Sequence, residues 1–135
     1  MKKVMVFGTF DILHSGHLHF LINSKKKGDY LIVIVGRDKN VIKFKGKKPI
    51  DNENIRLLNI KNQSFVDEVI LGRSDHDYAK LLLKYKPNII CLGYDQNDLG
   101  LQKFLRDNKL DLKIIKIKPY KEKKYKSSIF RKQME

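Results

Sequence analysis

Apolar residues occur in five short runs that are spaced like the strands of a single sheet. The second run, residues 30–35 (YLIVIV), is continuously apolar and rich in β-branched side chains. This pattern is typical of a strand that is buried on both faces of a parallel sheet. The first and fourth runs each end at a glycine, Gly8 and Gly93. The pattern predicts strands over residues 4–7, 30–35, 66–71, 88–92 and 113–117.

Segments with helical spacing separate these runs. Residues 17–27 place Leu18, Leu21 and Ile22 on one face, and three lysines precede Gly28, as expected where a helix ends. Helices are predicted over residues 17–27, 52–62, 78–85, 99–108 and 127–133, with a loop over residues 44–49. The alternation predicts an α/β fold, namely a Rossmann-like, doubly wound, five-stranded parallel sheet with helices on both faces. At 135 residues, the chain is expected to be a single domain over residues 1–135.

Charge and composition narrow the class of protein. The chain has 29 Lys and Arg residues against 15 Asp and Glu residues, a net charge of +14. This suits polyanionic ligands, but the lysines are spread along the chain, so nucleic acid is not favoured as a partner. The apolar runs are far shorter than the ~20 residues of a membrane-spanning helix, so no membrane partner is expected. A single cysteine, Cys91, excludes an internal disulfide and suits a cytoplasmic protein.

The candidate chemistry lies in residues 8–17 (GTFDILHSGH), which follow the first predicted strand. In parallel α/β sheets, ligands bind beyond the carboxyl ends of the strands. His14 and His17 share a face if this turn is helical, and Gly16 between them leaves the approach open. Two imidazoles beside helix N-terminal amides suit a phosphate group. Two other interpretations stay open: ordinary capping or core histidines, and a metal site that includes His19, which the spacing disfavours.

These ten residues resemble the signature of the nucleotidyltransferase superfamily that carries an HxGH motif. The resemblance extends over most of the chain and is greatest to the small archaeal FAD synthase group, with glycerol-3-phosphate cytidylyltransferase next. It implies transfer of a nucleotidyl group from a nucleoside triphosphate to a phosphate monoester, with release of pyrophosphate. The other matching segments are Gly36-Arg37-Asp38, residues 47–50, Val66-Asp67, residues 92–96 and Ser127-Ser128 with Arg131.

The resemblance also implies roles for single residues. His14 and His17 would stabilise the transition state, and Lys47, or alternatively Lys45, would neutralise the triphosphate from a mobile loop. Asp11 is expected to brace its own loop. Mg²⁺ is expected to accompany the nucleotide, with phosphates and water as its ligands, so no metal-binding residues are predicted. The implied nucleotide-binding residues are Gly8, Thr9, Phe10, Gly16, Arg56, Gly93, Tyr94, Asp95, Gln96, Ser127, Ser128 and Arg131.

Two features bear on the choice of substrates. The cytidylyltransferase pattern has an arginine-containing segment before its last helix, whereas residues 120–128 (YKEKKYKSS) contain no arginine. The first hypothesis is therefore an adenylyltransferase that makes FAD from FMN and ATP. The alternatives are a small cytidylyltransferase acting on glycerol 3-phosphate, and a non-catalytic nucleotide- or nucleic-acid-binding domain.

A homodimer is common in the family, but the sequence leaves the oligomeric state open. The flat ring of FMN would need an aromatic shelf, for which the candidates are Phe10, Phe44, Tyr94, Tyr120 and Tyr125.

Overall fold

The computed structural model describes residues 1–75, 77–96 and 99–119, and these form one parallel sheet flanked by helices. The strands are β1 (Lys3–Gly8), β2 (Tyr30–Val35), β3 (Glu68–Leu71), β4 (Ile89–Gly93) and β5 (Lys113–Ile117). The described helices are α1 (Ser15–Lys25), α2 (Asp38–Lys45), α3 (Glu53–Lys61), α4 (Tyr78–Tyr85) and α5 (Leu99–Asp107). The sheet order is β3-β2-β1-β4-β5. This confirms the predicted Rossmann-like α/β fold with five parallel strands.

The core consists of two apolar layers, one on each face of the sheet. Alternate residues of β1 point to opposite faces, as in any strand, so Val4 and Val6 join one layer and Met5 joins the other. Leu21 of α1 and Ile60 of α3 cover the first face. The second face is covered from α4 and α5 by Leu81, Leu82 and Leu105. Burial on both faces explains why the central strands are continuously apolar.

The order of the strands creates a crevice between β1 and β4. The chain builds outward from β1 to β2 and β3, then returns to the other side of β1 for β4 and β5. This reversal is the topological switch point at which parallel α/β folds bind ligands. The β1–β4 ladder contains only the pairs Val4–Ile89 and Met5–Ile90, whereas β1 pairs with β2 along its whole length. The carboxyl ends of β1 and β4 therefore border a candidate ligand-binding site.

The predicted loop over residues 44–49 is partly wrong, because Phe44 and Lys45 lie in the last turn of α2. This helix ends at Gly46, which adopts a left-handed conformation with φ 71°. Within α2, only Asn40 and Val41 are buried. The helix therefore lacks the apolar stripe by which a sequence pattern reveals an amphipathic helix.

Candidate active site

A cleft of about 1340 Å³ opens at the switch point, beyond the carboxyl ends of β1 and β4. The N-terminal turn of α1 and the segment after α2 form its walls. Most of the predicted site residues that the structure describes line this cleft: Gly8, Thr9, Phe10, Asp11, His14, Gly16, His17, Lys45, Lys47, Gly93, Tyr94, Asp95 and Gln96. The sequence analysis gave no role to eight further lining residues: Phe7, Phe20, Val41, Lys48, Pro49, Ile117, Lys118 and Pro119.

His14 and His17 lie together at the start of α1, which begins at Ser15 rather than at the predicted His17. Nδ1 of His14 accepts a hydrogen bond from the amide of Gly16 at 3.0 Å. Nδ1 of His17 accepts one from the amide of His14 at 3.4 Å. Because an amide N–H only donates, each neutral ring carries its proton on Nε2. The rings stack with their centroids 3.9 Å apart, so two adjacent N–H donors are held at the cleft.

The two rings are uncharged near neutral pH. Burial lowers the pKa of His14. The pKa of His17 is lowered to about 4, mainly by burial; electrostatic interactions with His14 and Lys45 also lower it, while Asp11 raises it. The negative charge of a bound phosphate would favour the protonated form. The pair can therefore donate N–H bonds to a phosphate in either protonation state.

The loop between β1 and α1 follows an uncommon backbone path. Phe10 and Ile12 both have φ 54°, a left-handed conformation that bulky residues rarely adopt. The ring of Phe10 is buried in the core, where it packs on Gly8 and edge-on against His17 at a centroid distance of 5.6 Å. A Cβ on Gly8 would come within 2.6 Å of that ring. This burial corrects the prediction of Phe10 as an aromatic shelf, although its backbone borders the cleft.

Arg56 lies behind the cleft rather than in it. Its side chain is fully buried. Its guanidinium donates to the carbonyl oxygens of Asp51, Thr9 and Gly36 at 3.0, 2.9 and 2.7 Å, and to the Asp38 carboxylate at 2.6 Å. The structure therefore corrects the expectation that Arg56 binds the nucleotide directly. This arginine ties the loops after β1 and β2 to the N-terminal ends of α2 and α3.

Asp11 anchors the segment between α2 and α3 to the β1 loop. Its two carboxylate oxygens accept hydrogen bonds from the amides of Ile50 and Asp51, at 2.8 and 2.9 Å. Asp11 thus braces the loop, as predicted. The anchor lies only three residues after Lys47, which also lines the cleft.

Lys45, the alternative to Lys47, contacts the β1 loop directly. Its Nζ donates to Oγ1 of Thr9 at 2.9 Å. Both lysines line the cleft, so the geometry keeps both as candidates for neutralising a triphosphate.

The segment after β4 closes the other side of the switch point. Oε1 of Gln96 accepts a hydrogen bond from the amide of Gly93 at 2.7 Å, and its Nε2 donates to the carbonyl oxygen of Phe7 at 3.4 Å. The side chain of Gln96 thereby joins the ends of β4 and β1. These two hydrogen bonds argue against direct binding of the nucleotide by the side-chain amide of Gln96, which the sequence analysis counted among the nucleotide-binding residues. The ring of Tyr94 is 62% exposed at the rim of the cleft.

Comparison with known proteins assigns the chain to a family. A profile of the cytidylyltransferase-like family matches residues 5–133. The chain belongs to the cytidylyltransferase-like family. It is 46% identical over 120 residues to the FAD synthase of Picrophilus torridus, which spans 87% of this chain and 85% of that relative. It is 43% identical over 136 residues to the FAD synthase of Thermoplasma volcanium, with 99% and 94% covered.

A solved structure shares the fold of this cytidylyltransferase-like chain. The crystal structure of a lipopolysaccharide core biosynthesis protein from Thermoplasma volcanium superposes with a TM-score of 0.82 at 44% identity. The match covers 89% of this chain and 98% of that one. The resemblance predicted from residues 8–17 is confirmed. Within the described part of the chain, no helix is long and apolar enough to cross a membrane.

His19 does not join the other two histidines of the cytidylyltransferase-like chain in a metal site. Its Nε2 lies 3.2 Å from the carbonyl oxygen of Lys118, and its Nδ1 lies 3.3 Å from Nδ2 of Asn23. Among residues 1–75, 77–96 and 99–119, no three His, Cys, Asp or Glu side chains are grouped so that they could hold an ion.

Several predictions concern residues outside the described part of the chain, and they stay predictions. These are the closing helix over residues 127–133, the phosphate-binding roles of Ser127, Ser128 and Arg131, and the aromatic candidates Tyr120 and Tyr125.

A second groove, of about 340 Å³, adjoins the cleft and was not predicted. A signal for it was present in the sequence, because glycine ends or directly follows each of the first four strands. These glycines are Gly8, Gly36, Gly72 and Gly93, of which the first three line the groove.

Proposed function

We propose that this chain is an FAD synthase that transfers the adenylyl group of ATP to FMN and releases pyrophosphate. The observation that carries the proposal is the stacked, neutral histidine pair at the switch-point cleft, within a chain that matches proteins named FAD synthase over most of its length. Lysines that line the same cleft supply the positive charge that a triphosphate requires.

In the proposed reaction, an oxygen of the FMN phosphate attacks the α-phosphorus of ATP. A new P–O bond forms as the bond from the α-phosphorus to the α–β bridging oxygen breaks, and pyrophosphate leaves with that oxygen. A phosphate monoester is already largely ionised near neutral pH, so the attack needs no strong base. His14 and His17 donate from Nε2 to phosphoryl oxygens whose charge increases in the transition state. Lys47, with Lys45 as the alternative, neutralises the leaving pyrophosphate.

Nucleotide binding is assigned to the two loops that border the crevice. We infer that the amides of Thr9 and Phe10 contact the α-phosphate, because the left-handed turn at Phe10 holds this backbone at the cleft. Residues 93–96 are assigned to the base and ribose. In this segment Tyr94 offers an exposed ring, and Gln96 contributes through its backbone since its side chain is engaged.

Mg²⁺ fits the site as a companion of the nucleotide rather than as a resident ion. Asp11 and Asp95 are the carboxylates among the described lining residues, and both oxygens of Asp11 accept amide hydrogen bonds. Most ligands of the ion would therefore be phosphate oxygens and water, as Mg²⁺ prefers. The ion would supply neutralisation of charge on the triphosphate.

A matrix of nucleotides and acceptors tests the proposal. The purified chain is incubated with Mg²⁺, with ATP or CTP, and with FMN or glycerol 3-phosphate, while pyrophosphate release and nucleotide products are measured. We expect FAD from ATP and FMN. His17→Ala should lower kcat about a hundredfold or more, the scale for loss of a preorganised donor. His19→Ala is the matched control, because its ring also borders the cleft but bonds to Asn23 and Lys118 and not to the histidine pair.

Two outcomes would overturn the proposal. Formation of CDP-glycerol without FAD would identify a cytidylyltransferase. Nucleotide binding without pyrophosphate release from any pair of substrates would identify a non-catalytic binding domain.

A further inference from the structure

The second groove lies beyond the carboxyl ends of β1, β2 and β3, next to the larger cleft. The boundary between the two cavities is formed by the residues that line both: Phe7, Gly8, Thr9, Val41, Lys45 and Gln96. Sites for small molecules typically measure about 300–1,000 Å³. A groove of about 340 Å³ is therefore large enough for one ring system but small for a complete nucleotide.

Apolar and aromatic side chains form part of the walls of the groove, beside the polar and charged side chains of Arg37, Asn40, Arg73 and Asp77. Tyr78, the first residue of α4, packs edge-on against Phe7 of β1, with ring centroids 4.9 Å apart and an interplanar angle of 77°. Tyr78 remains 42% exposed. Phe44 of α2 contributes a further exposed ring, and the buried side chains of Ile34 and Leu81 complete the lining. Rings exposed over an apolar floor suit a flat aromatic ligand.

Two glycines keep this groove open, although the fold does not require them. A Cβ on Gly72 would lie 3.5 Å from Cγ2 of Ile34, and one on Gly36 would lie 3.5 Å from Cγ2 of Val41. These are ordinary van der Waals distances, and neither glycine has a left-handed backbone. The contrast is Gly8, where a Cβ would meet the Phe10 ring at 2.6 Å. Glycine at residues 36 and 72 therefore keeps the groove open to a ligand, whereas the packing of the core does not require it.

The phosphate of the acceptor is expected at the boundary between the groove and the cleft, next to the bound nucleotide. Lys45 Nζ bonds to Thr9 Oγ1 at this boundary, which places a cation and a hydroxyl between the two cavities. An in-line attack needs the acceptor phosphate beside the α-phosphorus. An acceptor phosphate at this boundary, with the rest of the acceptor in the groove against Tyr78, would lie next to a nucleotide bound in the cleft.

We propose that the second groove binds the flat ring system of the acceptor and that Tyr78 is the residue that selects for it. The proposal rests on the proposed function and adds Tyr78 as the recognition element for the flavin ring, beside Phe44, which was one of the aromatic candidates named from the sequence. In this assignment Tyr94 serves the nucleotide and Tyr78 serves the acceptor.

Steady-state kinetics with variants of α4 test the assignment. Tyr78→Ala should raise KM for FMN about tenfold or more, the scale of a lost aromatic contact and its buried area, with KM for ATP unchanged. Tyr78→Phe keeps the ring and should restore the wild-type KM. Leu83→Ala is the control on the same helix, because Leu83 is exposed and lines neither cavity.

A second variant tests the groove without removing an aromatic ring. Gly72→Ala adds one methyl group that the fold accommodates, so its melting temperature should stay near that of the wild type. Its affinity for riboflavin, which has the ring but no phosphate, should fall severalfold when measured by quenching of flavin fluorescence. Glycerol 3-phosphate, which has no ring, should not compete with riboflavin.

The outcomes separate this inference from the proposed function. If the wild type makes FAD but Tyr78→Ala and Gly72→Ala bind FMN and riboflavin as the wild type does, the groove assignment is wrong and the function stands. If Tyr94→Ala, rather than Tyr78→Ala, raises KM for FMN, the ring binds in the larger cleft. If the wild type makes no FAD, the proposed function and this inference fail together.

Discussion

Substitution of Arg56 distinguishes a structural role for this arginine from direct binding of the nucleotide. The family resemblance implies that it binds the nucleotide, whereas the structure places it in the interior, with hydrogen bonds to three carbonyl oxygens and to Asp38. Arg56→Met keeps much of the side-chain volume and removes the charge and the donors. The structure predicts a loss of stability, and direct phosphate binding predicts a loss of nucleotide affinity.

The size of the stability loss can be estimated from the groups that lose their hydrogen bonds to Arg56. Removing one member of a buried ion pair costs about 3–5 kcal/mol, because the other charge is left uncompensated. The side chain of Asp38 is 23% exposed, so water can rehydrate part of the carboxylate. The three carbonyl oxygens lose charge-assisted bonds. We expect a decrease of about 3–4 kcal/mol in the free energy of unfolding, from a total that is typically about 5–15 kcal/mol.

Urea unfolding followed by circular dichroism measures this loss, and titration with ATP at a temperature where the variant is folded measures nucleotide affinity. Arg106→Met is the control, because Arg106 is an exposed arginine on α5. Arg56→Lys keeps a cation near Asp38 but not the planar fork, so we expect an intermediate loss. If Arg56→Met changes the unfolding free energy by less than about 1 kcal/mol and abolishes ATP binding, Arg56 contacts phosphate and the reasoning from its burial is refuted.

Two further predictions concern the β1 loop. Asp11→Ala removes the acceptors for two backbone amides and loosens the segment that carries Lys47. The KM for ATP should therefore rise severalfold. Asp29→Ala is the control, because Asp29 lies outside the cleft, and it should leave the KM for ATP unchanged. The pKa of His17 is about 4 in the folded state and about 6.5 when unfolded, so the unfolded state binds more protons between these values and stability falls as the pH is lowered. From pH 7 to 4.5, the wild type should lose about 2–3 kcal/mol more than His17→Gln in urea unfolding; equal losses would contradict a buried, neutral His17.

The fold was predictable because its signals are local. Each of the five strands lies at or near its predicted position, since burial on both faces demands a continuous apolar run. The missed helix, α2, has only two buried residues and no apolar stripe, so its position depends on contacts rather than on pattern. One such contact is the reciprocal pair of hydrogen bonds between Asp38 and Glu53, which joins the N-terminal ends of α2 and α3.

The sequence by itself determined the fold class and the histidine pair, because both depend on residues that are close together along the chain. His14 and His17 are three residues apart, so the first turn of a helix is enough to stack them. Only the tertiary structure decided the roles of Arg56 and Gln96 and the existence of the second groove. Arg56 meets Thr9 across 47 residues of chain, and Gln96 meets Phe7 across 89. No local pattern encodes such pairs, since they form only when the carboxyl ends of separate strands come together at one edge of the sheet.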